Sequence, residues 1–269
     1  MPASRFASAG LIGLFLSLVP ALAEADDAAA TRYRLKKDTS YEDGCFSPCM
    51  CPIRIFEPIE GSFVLVPTGS DWLFRYFDVR HVDWRAGRGS AALHIRGSGT
   101  YRVGGEFAAQ HQMTLDLQIG DGPIEHFDSG VVLGGGNFPR IDVVVSLHGM
   151  FCYDKVFNLH ARPAPDIAVD RDVLSWLPVL GADGFDVVAG DLRALRSSGG
   201  DFTTTSLQCV GDDVAGTTTS FDAVPASGEA FWFVVRYCDA GGAESYDDDQ
   251  SSQQGSRDPG IDVSAGSCP

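Results

Sequence analysis

Residues 73–84 read LFRYFDVRHVDW, and this stretch decides what kind of fold the chain can form. Strict two-residue alternation places Phe74, Tyr76, Asp78, Arg80, Val82 and Trp84 on one face. Leu73, Arg75, Phe77, Val79, His81 and Asp83 fall on the other, so neither face is purely polar. No helical spacing of apolar residues persists here, and aromatic and β-branched residues crowd the run. It therefore predicts a strand. Outward from it the pattern repeats. Gly61 to Pro67 reads as a strand ended by Thr68-Gly69-Ser70, and Ala91–Val103, Gln112–Ile119, Ile141–Leu147 and Val156–Ala161 continue the series. Glycines at 97, 99, 104, 105 and 134–136 mark turns or bulges between them. Residues 33–162 are expected to form an antiparallel β-sandwich or barrel.

The pattern resets after Arg162-Pro163-Ala164-Pro165, read as a linker because two close prolines oppose both helix and central strand. Val173–Trp176 is a short strand with Trp176 as core anchor, and Phe185–Ala189 and Thr217–Ala223 follow. Phe231–Tyr237 (FWFVVRY) is the strongest strand of the chain. Phe231 and Trp232 point to opposite faces there, so one of them lies outside or under a loop. The fold class is all-β: two sandwich- or barrel-like domains in tandem, the second spanning 163–269 with an acidic tail from Asp247.

The order L-S-W (174–176), A-x-G-F-D-V-V-x-G (182–190), T-S-F (219–221), P-x-x-G-x-x-F-W-F-V-V-R (225–236) and G-G-x-x-S-Y (241–246) resembles a fibronectin type III domain over about residues 166–250. G-D-L-x-x-L-R at 190–196, Cys209 and the terminal Cys268-Pro269 are similar to a variant found as C-terminal modules of bacterial exported proteins. Leu192–Asp201 and the three cysteines depart from the common pattern. The resemblance implies a sandwich and no catalytic residues. The first half, with G-C-x-x-P-C-M-C-P at 44–52, resembles uncharacterised secreted bacterial domains, which implies no activity.

The N-terminus carries Arg5, an apolar stretch Leu11–Leu22 and the small-x-small step Ala21-Leu22-Ala23. Residues 1–23 are thus expected to be a cleaved signal peptide, followed by a flexible leader, 24–32. That apolar stretch is too short for a permanent anchor, and no membrane span is expected in the mature chain. Export to an oxidising compartment makes disulfides the default reading, with Cys45, Cys49, Cys51, Cys152, Cys209, Cys238 and Cys268 as candidates and one of the last three left over within its domain. A Cys49–Cys51 bridge would be too tight, so the Cys45–Cys51 cluster is tied to Cys152 in one of two ways. In the second half, Cys238–Cys268 and Cys209–Cys268 stay open as alternatives. A soft-metal site of the Cys-x-Cys step with Met50 or a histidine is the rival reading, but C-x3-C-x-C matches no zinc spacing.

Charge divides unevenly. Beside Arg5, the net −16 comprises 14 basic against 18 acidic residues over 24–165, but 5 against 18 over 166–269. Such a chain repels phosphate backbones, so nucleic acid is not expected as a partner. Two His-x-Asp steps, His81/Asp83 and His126/Asp128, could each set two ligands or a base with its orienter on one strand face. No third partner is indicated, so the sequence assigns them to a solvent-facing side, with no metal and no cofactor expected. Asp128-Ser129-Gly130 lacks a nucleophile-elbow context, and Gly134–Asn137 lacks the following helix of an anion cradle. Asp212-Asp213 and Asp247–Asp249 are runs, read as solvated charge, not an alternating calcium loop. Trp72, Trp84 and Trp232 are candidates for stacking on sugars or for the core. The expected function is a non-catalytic exported protein that binds a protein or glycan partner or serves envelope structure. The alternatives are a secreted hydrolase or metal-binding protein with its site at His81, Asp83, His126 and Asp128, or a carbohydrate-binding module.

Overall fold

A computed structural model describes residues 30–49, 51–250 and 252–269. The expected signal peptide lies outside the described residues. The first half forms ten strands: β1 (Thr31–Leu35), β2 (Ser40–Cys45), β3 (Arg54–Ser70), β4 (Phe74–Ala86), β5 (Leu93–Gly104), β6 (Gln110–Ile119), β7 (Ile124–Asp128), β8 (Val132–Leu133), β9 (Ile141–Ser146) and β10 (Tyr153–Pro163). All pair antiparallel: eight follow the order β10-β2-β3-β4-β5-β6-β7-β9, β9 returns to pair with β10, and β8 pairs with β6. The ring closes, so this half is a barrel. β1 and β2 run end to end in the slot between β3 and β10, as Thr31↔Leu65, Tyr33↔Pro163, Ser40↔Pro58 and Ser40↔Asn158 show. Closure is narrowest between β7 and β9, where only Asp128↔Ser146 is paired.

The mixed faces of Leu73–Trp84 have a physical cause. Val79 pairs with Gly99 and Val82 with Gly97, so Arg80 and His81 together oppose one residue of β5. This bulge reverses the alternation. Phe77 and Val79 point inward before it, and Val82, Trp84 and Ala86 after it. His81 takes a left-handed φ of 52° at the bulge and stays exposed. The lumen is filled by side chains, with Trp84 in edge contact with Phe63 (6.2 Å between ring centres) and tilted against Phe157 (5.8 Å). Burying Trp84 contributes about 3–5 kcal/mol.

Three boundaries differ from expectation. Residues 30–32 are not a loose leader: Ala30 is buried against Val64 and Val66, because β1 fills the edge that β2 leaves open. β3 runs through Thr68-Gly69-Ser70, absorbing register shifts at Ser62/Val64 and Pro67/Gly69 instead of stopping. Pro163 is the last residue of β10, paired with Tyr33, and Ala164 donates its amide to Arg32 at 2.9 Å. A proline is tolerated there because no strand continues beyond it. The expected linker is thus tied to the barrel.

The second half is a sandwich. β11 (Ala168–Asp170), β12 (Val173–Ser175) and β15 (Thr218–Ser220) form one sheet, in the order β11-β12-β15. The other is β14 (Ser206–Gly211), β13 (Gly184–Asp191), β16 (Phe231–Asp239) and β17 (Gly242–Ala243), in that order. Trp176, Phe185, Val187, Phe221 and Tyr237 fill the space between the sheets. The outer face of β13 and β16 is covered too. Two short helices, α1 (Leu192–Ser197) and α2 (Phe202–Thr205), and the C-terminal tail with α3 (Asp258–Asp262) pack there over Val188 and Trp232. Asp191 caps α1 by accepting from the Ala194 amide, and Asp201 caps α2 through Thr203. Trp232 therefore lies under α2, in edge contact with Phe202 at 5.2 Å, and Phe231 faces the sandwich core.

The acidic tail docks on the barrel. Arg34 pairs with Asp248 and Arg162 with Asp249, while Arg257 holds Asp248 from within the tail; just ahead of the tail, Arg140 Nη2 donates to both Glu244 oxygens at 2.9 Å, and Arg34 also meets Asp166. The Lys37 amide donates to the Asp249 carbonyl at 2.7 Å. Asp247–Asp249 are thus partly buried partners of basic residues, which corrects their reading as solvated charge. The surplus of acid in one half meets the bases of the other. Among the described residues, no helix is long and apolar enough to cross a membrane.

Candidate functional site

The four His-x-Asp residues do not converge. His81 and Asp83 sit on β4 and His126 and Asp128 on β7, all exposed on the outer wall. β5 and β6 lie between them, so about 14 Å of sheet separates the pairs. Each member of the second pair has a local partner. His126 Nδ1 meets Asp116 Oδ1 across the strands at 2.7 Å, and Asp128 accepts from the Gly130 amide at 2.8 Å and from Gln112 at 3.2 Å. The Ser129 hydroxyl donates to the Gly130 carbonyl at 2.7 Å and accepts from the Met113 amide at 3.0 Å. Its oxygen shapes a turn.

The glycine run at 134–136 packs on His111, a residue that sequence reasoning passed over. His111 is 1% exposed; its Nδ1 lies 2.5 Å from the Tyr101 hydroxyl, and Nε2 has no hydrogen-bond partner. Any side chain at Gly135 would strike the ring, with a Cβ only 2.6 Å from it. Burial holds the His111 pKa below its usual value. The Tyr101 ring also stacks on Phe138, with 6.3 Å between ring centres, so the pair is packed into the barrel core.

Of the three tryptophans considered for sugar stacking, Trp84 belongs to the barrel core and Trp232 to the outer cluster of the sandwich. Trp72 alone among them is presented to solvent, at 85% exposure, on a turn that Asp71 fixes by accepting from the amides of Leu73 and Phe74.

The cysteines form a definite frame. Cys45 pairs with Cys51, Cys49 with Cys152 and Cys209 with Cys268, at Cα separations of 5.6, 4.8 and 4.9 Å, and Cys238 is free. The first closes the β2–β3 connection on itself and the second ties it to the β9–β10 hairpin, at one end of the barrel where Tyr153 opposes Cys45 and the Cys45 amide meets the Ile53 carbonyl at 3.3 Å. Buried Asp154 sets the second hairpin, accepting from the amides of Leu147, His148, Met150 and Lys155 at 2.6–3.1 Å. On these two stapled tips Ile53, Ile55, Phe56, Met150, Phe151 and Tyr153 are all exposed, several above 55%. Periodicity could not find this patch, since these residues look like ordinary strand apolars until burial is known.

Comparison with known protein families, curated proteins and solved structures finds no match. The geometry of the chain is the guide to its chemistry.

A second cluster lies in the acidic half. Asp186, Asp213 and Cys238 bring two carboxylates and a thiol within 4.8 Å of one another. Asp186 is buried, accepting from the Asp213 amide at 3.1 Å and from Arg236 Nε at 2.9 Å. Burial, then the charges of Asp186 and Asp213, push the Cys238 thiol up to about 12. Cys209, Asp212 and Cys268 also group, but both of those sulfurs are spent in a disulfide. The sequence offered Cys238 as a bridge candidate and gave Asp186 no part. The signal was the alternation that sets both on one face of paired strands, β13 and β16.

Proposed function

We propose that this protein is an exported, non-catalytic binding protein of an oxidising compartment. The barrel recognises a protein partner through its stapled end, and the sandwich is a fibronectin type III-like supporting module. The observation that carries the reading is the apolar patch on two disulfide-tied hairpins. Exposed large apolar residues gathered at one end of a fold mark an interaction site. Cross-links that hold it in one shape lower the entropy lost on binding. The strand order β11-β12-β15 against β14-β13-β16-β17 is of the kind the resemblance implies and supports the second part.

A glycan reading keeps one residue in its favour, the exposed Trp72. Affinity capture from the native envelope and secretome separates the two. The wild type and Trp72→Ala should retain the same partner, and the double variant Ile53→Ser/Phe151→Ser should lose it. Equal capture by all three would refute the stapled end as the binding surface. Loss by Trp72→Ala, with glycan-array binding by the wild type, would transfer the function to Trp72.

A further inference from the structure

We infer that Asp186, Asp213 and Cys238 form a binding site for a thiolate-accepting divalent cation, Zn2+ being the best chemical fit. The fold assembles the donors from three segments. β13 pairs with β16 so that Gly184 opposes Cys238 and Asp186 opposes Arg236. Cys238 and Asp186 therefore emerge side by side on the outer face of the sheet. Asp213 arrives from the turn after β14. Its backbone occupies the space that a side chain at 184 would need, for a Cβ there would come within 3.0 Å of Asp213 Cα. The glycine thus lets the second carboxylate approach. Asp213 holds a left-handed φ of 47°, and the segment is pinned by mutual backbone bonds between Phe185 and Val214 at 2.9 and 3.0 Å.

A second feature points to a ligand. Tyr246 is 3% exposed and its hydroxyl has no hydrogen-bond partner. Its ring lies over the Arg236 guanidinium, 4.4 Å from the ring centre, and its phenol feels the charges of both Asp186 and Cys238. A buried hydroxyl usually finds a partner, so an orphan within reach of the charges of Asp186 and Cys238 marks a place for a bound group. A water on a captured ion would satisfy it.

The donor set selects the ion. One sulfur and two carboxylate oxygens suit a borderline cation, whereas Ca2+ and Mg2+ require oxygen alone. Tetrahedral zinc needs its ligand atoms about 3.5 Å apart, a small contraction from the present spread. Binding displaces the thiol proton to solvent, leaving the thiolate on the metal and a fourth position for water. Among the described residues, none of the histidines enters this site.

Co2+ titration of the full chain tests the inference. A thiolate-to-cobalt charge-transfer band should saturate at one equivalent and be bleached by Zn2+. Cys238→Ser should abolish the band. Asp213→Asn, which keeps a residue tolerant of the left-handed backbone, should weaken binding about tenfold or more while the chain still melts cooperatively. Asp212→Asn should leave it unchanged. Absence of a saturable band in the wild type would overturn the site, as would Zn2+ affinity undiminished in Cys238→Ser and Asp213→Asn.

Discussion

In the barrel, one cluster of 24 buried side chains runs from Tyr33 to Ala161 and fills the lumen. The sandwich instead divides its apolar residues between the two faces of β13 and β16. Eight buried side chains lie between the sheets, and five more form a cluster between the sheet's outer face and the helices and tail that cover it. A closed barrel needs no outside help to cover its inner face. The sandwich must recruit residues 192–205 and 246–268 to cover the outer face of its larger sheet, and the Cys209–Cys268 bridge holds that cover down. One half is secured by volume and the other by a strap. The difference teaches where each half is vulnerable, and it orders the expected effects of substitution.

Trp84→Ala should have the largest effect, about 3–5 kcal/mol, because it empties the centre of the filled lumen. Trp84→Phe should cost less than half of that, since the indole nitrogen has no hydrogen-bond partner to lose. Denaturant melts of the two variants make the comparison. A sandwich that unfolds together with the barrel in Trp84→Ala would show that the docked ion pairs couple the halves, whereas a separate transition would uncouple them.

Opening the strap comes next. Cys209→Ser/Cys268→Ser releases a loop closed over 59 residues, worth about 4 kcal/mol on the chain-entropy account. Amide exchange should accelerate in 246–268 and along the outer face of β16, with the barrel strands little changed. Exchange that rises equally in β3–β6 would contradict the division between core and strap.

The smallest effect is a pH dependence at buried His111. Burial depresses the His111 pKa, so the unfolded chain takes up its proton first as pH falls. Stability from this group is fully present above the unfolded value of about 6.5 and is lost as pH falls from there through the lower folded value. His111→Gln should flatten the melting temperature across that window relative to wild type. An unchanged slope would remove His111 from the account.

The sequence showed the class of the fold well, because aromatic and β-branched alternation survives in nearly every strand. It showed the faces of β4 poorly. The bulge at Arg80 and His81 reverses alternation without any residue that announces it, so Trp84 looked as available for sugars as Trp72. Short β1, β2, β7 and β11 carry too few residues for a period to emerge. The cysteine frame was legible up to a choice of pairings, since a two-residue bridge is geometrically poor but longer ones differ little. Neither candidate site was legible. The apolar end depends on which hairpins are left uncovered, and the Asp186, Asp213 and Cys238 cluster depends on pairing between segments over 20 residues apart. The near-neutral half with every histidine drew attention, while the convergent ligands lie in the acidic half.

Peptide mapping of the protein purified from its native cells, alkylated under denaturing conditions without reductant, tests the central claim most directly. The account predicts three linked peptide pairs, Cys45–Cys51, Cys49–Cys152 and Cys209–Cys268, with Cys238 alone alkylated. Four alkylated thiols at Cys45, Cys49, Cys51 and Cys152 would contradict it, removing both the oxidising compartment and the staples that hold the binding end.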